Sequence, residues 1–158
     1  MTIKLDRHEK GILDALQDNA RLTMQELGDS VGLSASPCWR RVRSLEEIGV
    51  IRRYTVHLDP RKLGLSECVF AHVTLERHRE NVVDQFEAAI RTMPEVLECF
   101  AVTGDADYLL RIVVPSTEHY GRFLSEKIFS IPGVAHVRSN VSLKEVKFET
   151  RLPLDHLE

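Results

Sequence analysis

No apolar run in the chain approaches the ~18 residues that a membrane span requires. The N-terminus, Met1-Thr2-Ile3-Lys4-Leu5-Asp6-Arg7-His8, carries charge where a secretory leader would carry an apolar stretch. Together these absences set a cytoplasmic location as the expectation. Cysteine is scarce: Cys38, Cys68 and Cys99 are odd in number and far apart, which excludes a disulfide framework and suits three small core residues in a reducing compartment. His8, His57, His72, His78, His119, His136 and His156 are scattered without the spacing of a zinc site, so no metal is expected. Neither a Gly-x-Ser-x-Gly elbow nor a glycine-rich phosphate loop occurs, and catalysis is left without a motif. The formal net charge of -3 argues against a broadly cationic surface that would hold nucleic acid indiscriminately, and leaves room for a short focused contact.

What is present is local. The 158 residues, 43% of them hydrophobic, suffice for one ordinary domain or two small ones. Asp6-Arg7-His8-Glu9 and Thr23-Met24-Gln25-Glu26 both have capping-box form and each precedes apolar residues at helical spacing. The first helix is expected to run to about Asp18, and Gly32 is placed to end the second in a left-handed turn. A third helix starts at Ser34 or Ser36, tolerates Pro37 in its first turn and stops at Gly49. Cys38, Arg41, Val42 and Leu45 share its packing side; Ser36, Trp39, Arg40, Arg43 and Glu47 share the other. Two short helices joined by a tight glycine-containing turn predict a helix-turn-helix. Between Cys38 and Arg53 five arginines stand against two glutamates. An outward row of Ser, Trp and Arg suits a major groove, and taken alone it suits a solvated face equally well. Val50 to Leu58 is rich in β-branched residues and predicts a small hairpin wing with Arg52 and Arg53 near its turn, placed to touch phosphate.

Asp59-Pro60-Arg61-Lys62-Leu63-Gly64 marks a boundary, giving expected domains of 1–60 and 61–158. Beyond it the pattern reads strand, helix, strand, strand, helix, strand. Met93-Pro94-Glu95-Val96 and Ile131-Pro132-Gly133-Val134 lie 38 residues apart, each ending a helix and opening a strand, so the half is duplicated. The expected class is α+β: a winged helix-turn-helix followed by a ferredoxin-like βαββαβ domain with both helices on one sheet face. The apolar residues of the other face predict a homodimer. The final stretch from Leu152-Pro153-Leu154 is expected to be a loose end or a subunit contact.

The residues Leu5-Asp6, Ile12-Leu13, Leu16-Gln17, Arg21-Leu22, Leu27, Val31-Gly32-Leu33-Ser34, Pro37-Cys38, Arg41-Val42, Leu45-Glu46 and Gly49-Val50-Ile51 resemble the Lrp/AsnC, or feast/famine, transcription regulators. Gly104-Asp105-Ala106-Asp107-Tyr108 resembles the Gly-Asp-x-Asp-Tyr turn of the same family. The resemblance implies a DNA-reading helix over Ser34 to Ile48, with Ser34, Ser36, Trp39, Arg40 and Arg43 as contacts beside Arg52 and Arg53. It further implies dimers assembling to octamers that bind a free amino acid near the turn, with leucine or methionine favoured. An amino acid needs a carboxylate for its ammonium and N–H donors for its carboxylate. Asp105 and Asp107 are candidates for the first and the backbone of Gly104 and Ala106 for the second, with Thr103 or Tyr108 shaping the remainder. A turn chosen only for its backbone angles explains the same residues. The expected function is a DNA-binding transcriptional regulator answering to an amino acid. The alternatives are an architectural DNA-binding protein without a ligand, and an enzyme or enzyme subunit built on the ferredoxin-like half.

Overall fold

The computed structural model describes residues 3–76 and 81–156, so His78 and the chain end from Leu157 lie outside the described residues. The chain divides into two units: residues up to His57 together with those from Lys147 onward, and Leu58–Val146. The segment from Lys147 onward thus groups with the N-terminal residues, whereas a 61–158 domain was expected from the sequence.

In the first unit α1 spans Arg7–Asp18, α2 Met24–Val31 and α3 Ala35–Glu47. Both capping boxes form, with Asp6 accepting from the Glu9 N–H and Thr23 from the Glu26 N–H, while each glutamate returns to its cap residue's N–H. Gly32 ends α2 in the left-handed region at φ 72°. Ile12, Leu13, Leu27, Cys38, Val42 and Leu45 form the core, the residues that helical spacing places inward.

The cap bonds hold the Asp6 and Glu26 carboxyls below their ordinary values, through the Glu9 amide in the first case and the Thr23 amide in the second. Because the folded values are the depressed ones, the unfolded chain binds more protons in this range. The cap contribution is therefore complete above the unfolded values and is lost as pH falls through the folded ones. Thermal unfolding is expected to shift downward between about pH 5 and pH 3, more steeply in the wild type than in Asp6→Asn/Glu26→Gln, whose caps do not titrate. Parallel curves would remove the caps from the acid response.

The hairpin expected over Val50 to Leu58 does not form: among the described residues no ladder occurs in this stretch, which runs on as irregular chain. No Gly, Asn or Asp stands between Arg52 and Thr55 to turn it back, so its strand-forming residues find no partner. The start is tied to α3 by Ile51 N–H donating to Leu45 O at 3.0 Å. The stretch from Arg151 to Leu154 is held rather than loose. Gln17 clamps Leu152 from both sides, its Nε2 donating to the carbonyl at 3.2 Å and its Oε1 accepting the amide at 2.6 Å. Arg151 pairs with Asp14 and Asp18 of α1, and Leu154 packs against the helical core.

In the second unit β1 (Glu67–Leu75), α4 (Val82–Arg91), β2 (Val96–Ala101), β3 (Tyr108–Val114), α5 (Thr117–Phe123, prolonged by a π turn over Leu124–Ile128) and β4 (Val134–Val141) follow in turn. The strands pair antiparallel in the order β2-β3-β1-β4, the ferredoxin-like arrangement. The duplication is visible in the backbone: Val96 N–H donates to Met93 O at 3.1 Å and Val134 N–H to Ile131 O at 3.3 Å, the same turn twice. Val69, Ala71, Val73, Leu110 and Ile112 pack with Phe86 and Ile128 to form the core. Phe70, Leu109 and Phe100 lie on the opposite face, where Phe100 is 54% exposed. Of the cysteines only Cys38 is a core residue; Cys68, near the start of β1, is half-buried, and Cys99 is exposed on β2, an edge strand whose apolar residues outrun the helix cover.

Candidate nucleic-acid interface and ligand cleft

α3 separates its residues as its periodicity requires. Ser34, Ser36, Trp39, Arg40 and Arg43 are exposed, and the Ser34 side chain makes no capping bond, so its hydroxyl is not spent on the helix. Arg41 turns the other way, pairing with Asp6 and reaching Glu9 at 3.7 Å, which fastens α3 to the start of α1. On the exposed face the Arg43 guanidinium lies 5.4 Å from the Trp39 ring centroid, and its Nε donates to Glu47 Oε1 at 2.9 Å. A shallow hollow of about 610 Å³ runs beside them, lined by Met24, Val42, Glu46 and Tyr54. Tyr54 donates its hydroxyl to Glu46 at 3.0 Å; partial burial and then this carboxylate push its pKa up to about 12. That bond pins the chain after Ile51 against the last turns of α3. Arg52 and Arg53 therefore leave α3 from a tethered segment rather than from a hairpin tip, and with Arg40 they make no ion pair among the described residues.

In the second unit the β2–β3 connection turns at Gly104, whose φ of 114° suits glycine. Asp107 closes it: Val102 N–H donates to Asp107 O, Asp107 N–H to Val73 O, and the Asp107 carboxylate accepts the Leu75 N–H at 2.7 Å. Tyr108 is buried, its ring 4.7 Å from Phe86 and its hydroxyl donating to Glu87 at 3.0 Å. Burial first, then Glu87, pushes its pKa up to about 12. Asp105 stays exposed. It opens onto a cleft of about 170 Å³ lined also by His72, Thr74, Ala106, His136 and Arg138. Strand register assembles this set, since Thr74 faces His136 and His72 faces Arg138 across β1 and β4.

A family model described as winged helix-turn-helix DNA-binding matches residues 5–52, and one described as the Lrp/AsnC ligand binding domain matches residues 68–152. The chain belongs to the Lrp/AsnC family. The leucine-responsive regulatory proteins of Salmonella typhimurium and Escherichia coli K12 are each 43% identical to this Lrp/AsnC chain over 148 residues, 94% of it and 90% of each relative. A transcriptional regulator from Neisseria meningitidis, crystallised with L-methionine, is 40% identical with a TM-score of 0.93, covering 98% of this chain and 99% of its own. An AsnC family regulator from Agrobacterium tumefaciens is 38% identical with a TM-score of 0.91, covering 98% and 100%. The Lrp/AsnC chain is thus a DNA-binding transcriptional regulator with a ligand-binding domain.

In this Lrp/AsnC fold the candidate DNA contacts on α3 come together on one face. The candidate effector residues do not. Thr103, Gly104 and Asp105 are exposed at the turn, whereas Ala106 and Tyr108 are buried and Asp107 spends a carboxylate oxygen on the Leu75 N–H of β1. His72, Thr74, His136 and Arg138 escaped the sequence reading, which treated the histidines as scattered. They lie two apart in each of two strands, and that alternation was the available signal. Among the described residues no group of three His, Cys, Asp or Glu side chains could hold a metal.

Proposed function

We propose that two copies of the chain pair through the open sheet face carrying Phe70, Leu109 and Phe100, assemble further toward octamers, and present two α3 helices to successive major grooves in the cytoplasm. Ser34, Ser36, Trp39, Arg40 and Arg43 contact the groove, while Arg52 and Arg53 meet phosphate. The observation that carries this reading is the exposed α3 face, with cations and hydroxyls on one side and its apolar residues sealed on the other.

The effector is a free amino acid taken up beside the Gly104 turn. Asp105 faces its ammonium, and Arg138 with Thr74 its carboxylate; Asp107 and Tyr108 hold the turn and do not touch it. Leucine and methionine are the leading candidates, supported by the names of the leucine-responsive relatives and by the L-methionine complex of the Neisseria meningitidis regulator. Ligand acts by its different affinity for alternative assemblies of the chain.

Thermal shift and native mass across the standard amino acids, with gel shift on duplex DNA, tests the reading. At least one aliphatic or thioether amino acid is expected to raise the melting temperature and change the mass. Asp105→Asn is expected to abolish that response at unchanged basal stability, while Asp107→Ala lowers basal stability by about 1 to 3 kcal/mol by orphaning the Leu75 N–H. Silence toward every amino acid would favour an architectural DNA-binding role.

A further inference from the structure

Trp39, Arg43 and Glu47 stand at i, i+4 and i+8 of α3, one stripe on its exposed side. Glu47 takes only the Arg43 Nε, and no hydrogen bond among the described residues uses the two Nη groups. The indole, 48% exposed, lies beside the guanidinium and restricts its swing. The carboxylate and the indole thus brace this guanidinium from two sides and leave its terminal donors unspent among the described residues. Arginine is costly to immobilise, and fixing it before binding removes that cost from recognition.

We propose that this triad reads one G·C pair in each half-site: the Arg43 Nη groups donate to guanine O6 and N7, and Glu47 accepts from the N4 amino group of the paired cytosine. The assignment deepens the DNA-contact reading above and rests on it. Two targets for the fork have to be compared. A phosphate would meet a guanidinium already half-neutralised by Glu47 and would draw that carboxylate into the field of the backbone. A guanine edge is neutral and offers two acceptors at fork spacing, while cytosine offers the donor that a carboxylate needs. The pair thus suits a base pair better than a phosphate. Arg40, which pairs with no carboxylate among the described residues, has no such acceptor to offer a cytosine and is left out of the pair. Trp39 serves as a positioning residue for Arg43.

Selection of duplexes from a randomised pool by the full chain, followed by affinities on the selected site and on single-pair variants, tests this. The wild type is expected to enrich a G·C pair at one position of each half-site, with discrimination against A·T of about tenfold. Arg43→Lys is expected to bring that ratio close to one while preferences at the other positions persist, since an ammonium offers no fork. Glu47→Gln is expected to lower the ratio yet bind unrelated duplex no more weakly, because a negative charge has gone. Trp39→Phe is expected to keep the ratio and Trp39→Ala to reduce it. All these residues are exposed, so unchanged melting temperatures confirm intact folds. Discrimination that survives Arg43→Lys overturns the proposal. So does an affinity loss equal for all sequences with a salt slope reduced by about one, the mark of a phosphate contact. Wild-type protein that binds no duplex would defeat the DNA-contact reading as well, whereas an intact motif in Arg43→Lys defeats only this inference.

Discussion

Gly28→Val is expected to destabilise the helical unit severely and to weaken DNA binding. A Cβ at Gly28 would stand 2.5 Å from the carbonyl oxygen of Leu33 and 3.3 Å from the carbonyl carbon of Ser34, both backbone. Neither can swing aside, because the Leu33 N–H is bonded back to Gly28 O at 2.8 Å and Ser34 opens α3. Gly28 is helical in φ, so its requirement is space: it lets the end of α2 touch the turn that aims α3. Valine adds two methyl groups to that clash, and the strain is expected to cost about 3 kcal/mol, a large part of the stability of a small helical unit. Urea unfolding followed by helical circular dichroism, with gel shift on the selected duplex, checks it. Retained binding at wild-type stability would show that the turn yields where the packing says it cannot.

Phe86→Ala is expected to cost about 3 to 5 kcal/mol, as for a fully buried aromatic side chain removed from a core. Phe86 is 0% exposed on α4 and packs at 4.7 Å against Tyr108, the residue that ends the Gly104 turn and that Glu87 holds from the same helix. The cavity therefore opens beneath the turn. Two losses are expected together: equilibrium stability in urea, and the thermal shift caused by whichever amino acid the wild type answers to. Phe86→Leu fills most of the space and is expected to cost about 1.5 kcal/mol, with the ligand response retained. A ligand response undiminished in Phe86→Ala would place the ligand away from the turn.

The helical unit was legible because its signals are short-range. Asp6 with Glu9, Thr23 with Glu26 and the left-handed Gly32 act within one turn of chain, and each formed where its residues stand. The ferredoxin-like unit was legible through period: Val69, Ala71 and Val73 alternate inward, and Met93-Pro94 repeats as Ile131-Pro132 with the same backbone bond. The hairpin after Gly49 was misread because β-branched residues signal extended chain, and nothing in Arg52 to Thr55 signals a reversal. Cys99 was misplaced because alternation says which residues share a face but not how far the helices cover an edge strand.

The site divided along the same line. The exposed face of α3 follows from a 100° step, so Trp39, Arg40 and Arg43 could be named together from the sequence. The cleft beside Asp105 could not, since His72 and Thr74 meet Arg138 and His136 only once β1 and β4 have chosen a register. The clamp of Gln17 on Leu152 likewise joins residues 135 apart.

From the sequence alone came the helices and the four strands, the caps of the first two helices, the inward faces, and a family resemblance that points to α3 as the candidate DNA-reading helix. Folding in three dimensions decided which of two neighbouring aspartates is exposed, which histidines share a cleft, and where Arg151 to Leu154 dock. The division is physical: caps and amphipathic periods are settled by neighbours a turn away, whereas strand register and long-range docking are settled by the burial of groups that the sequence leaves far apart.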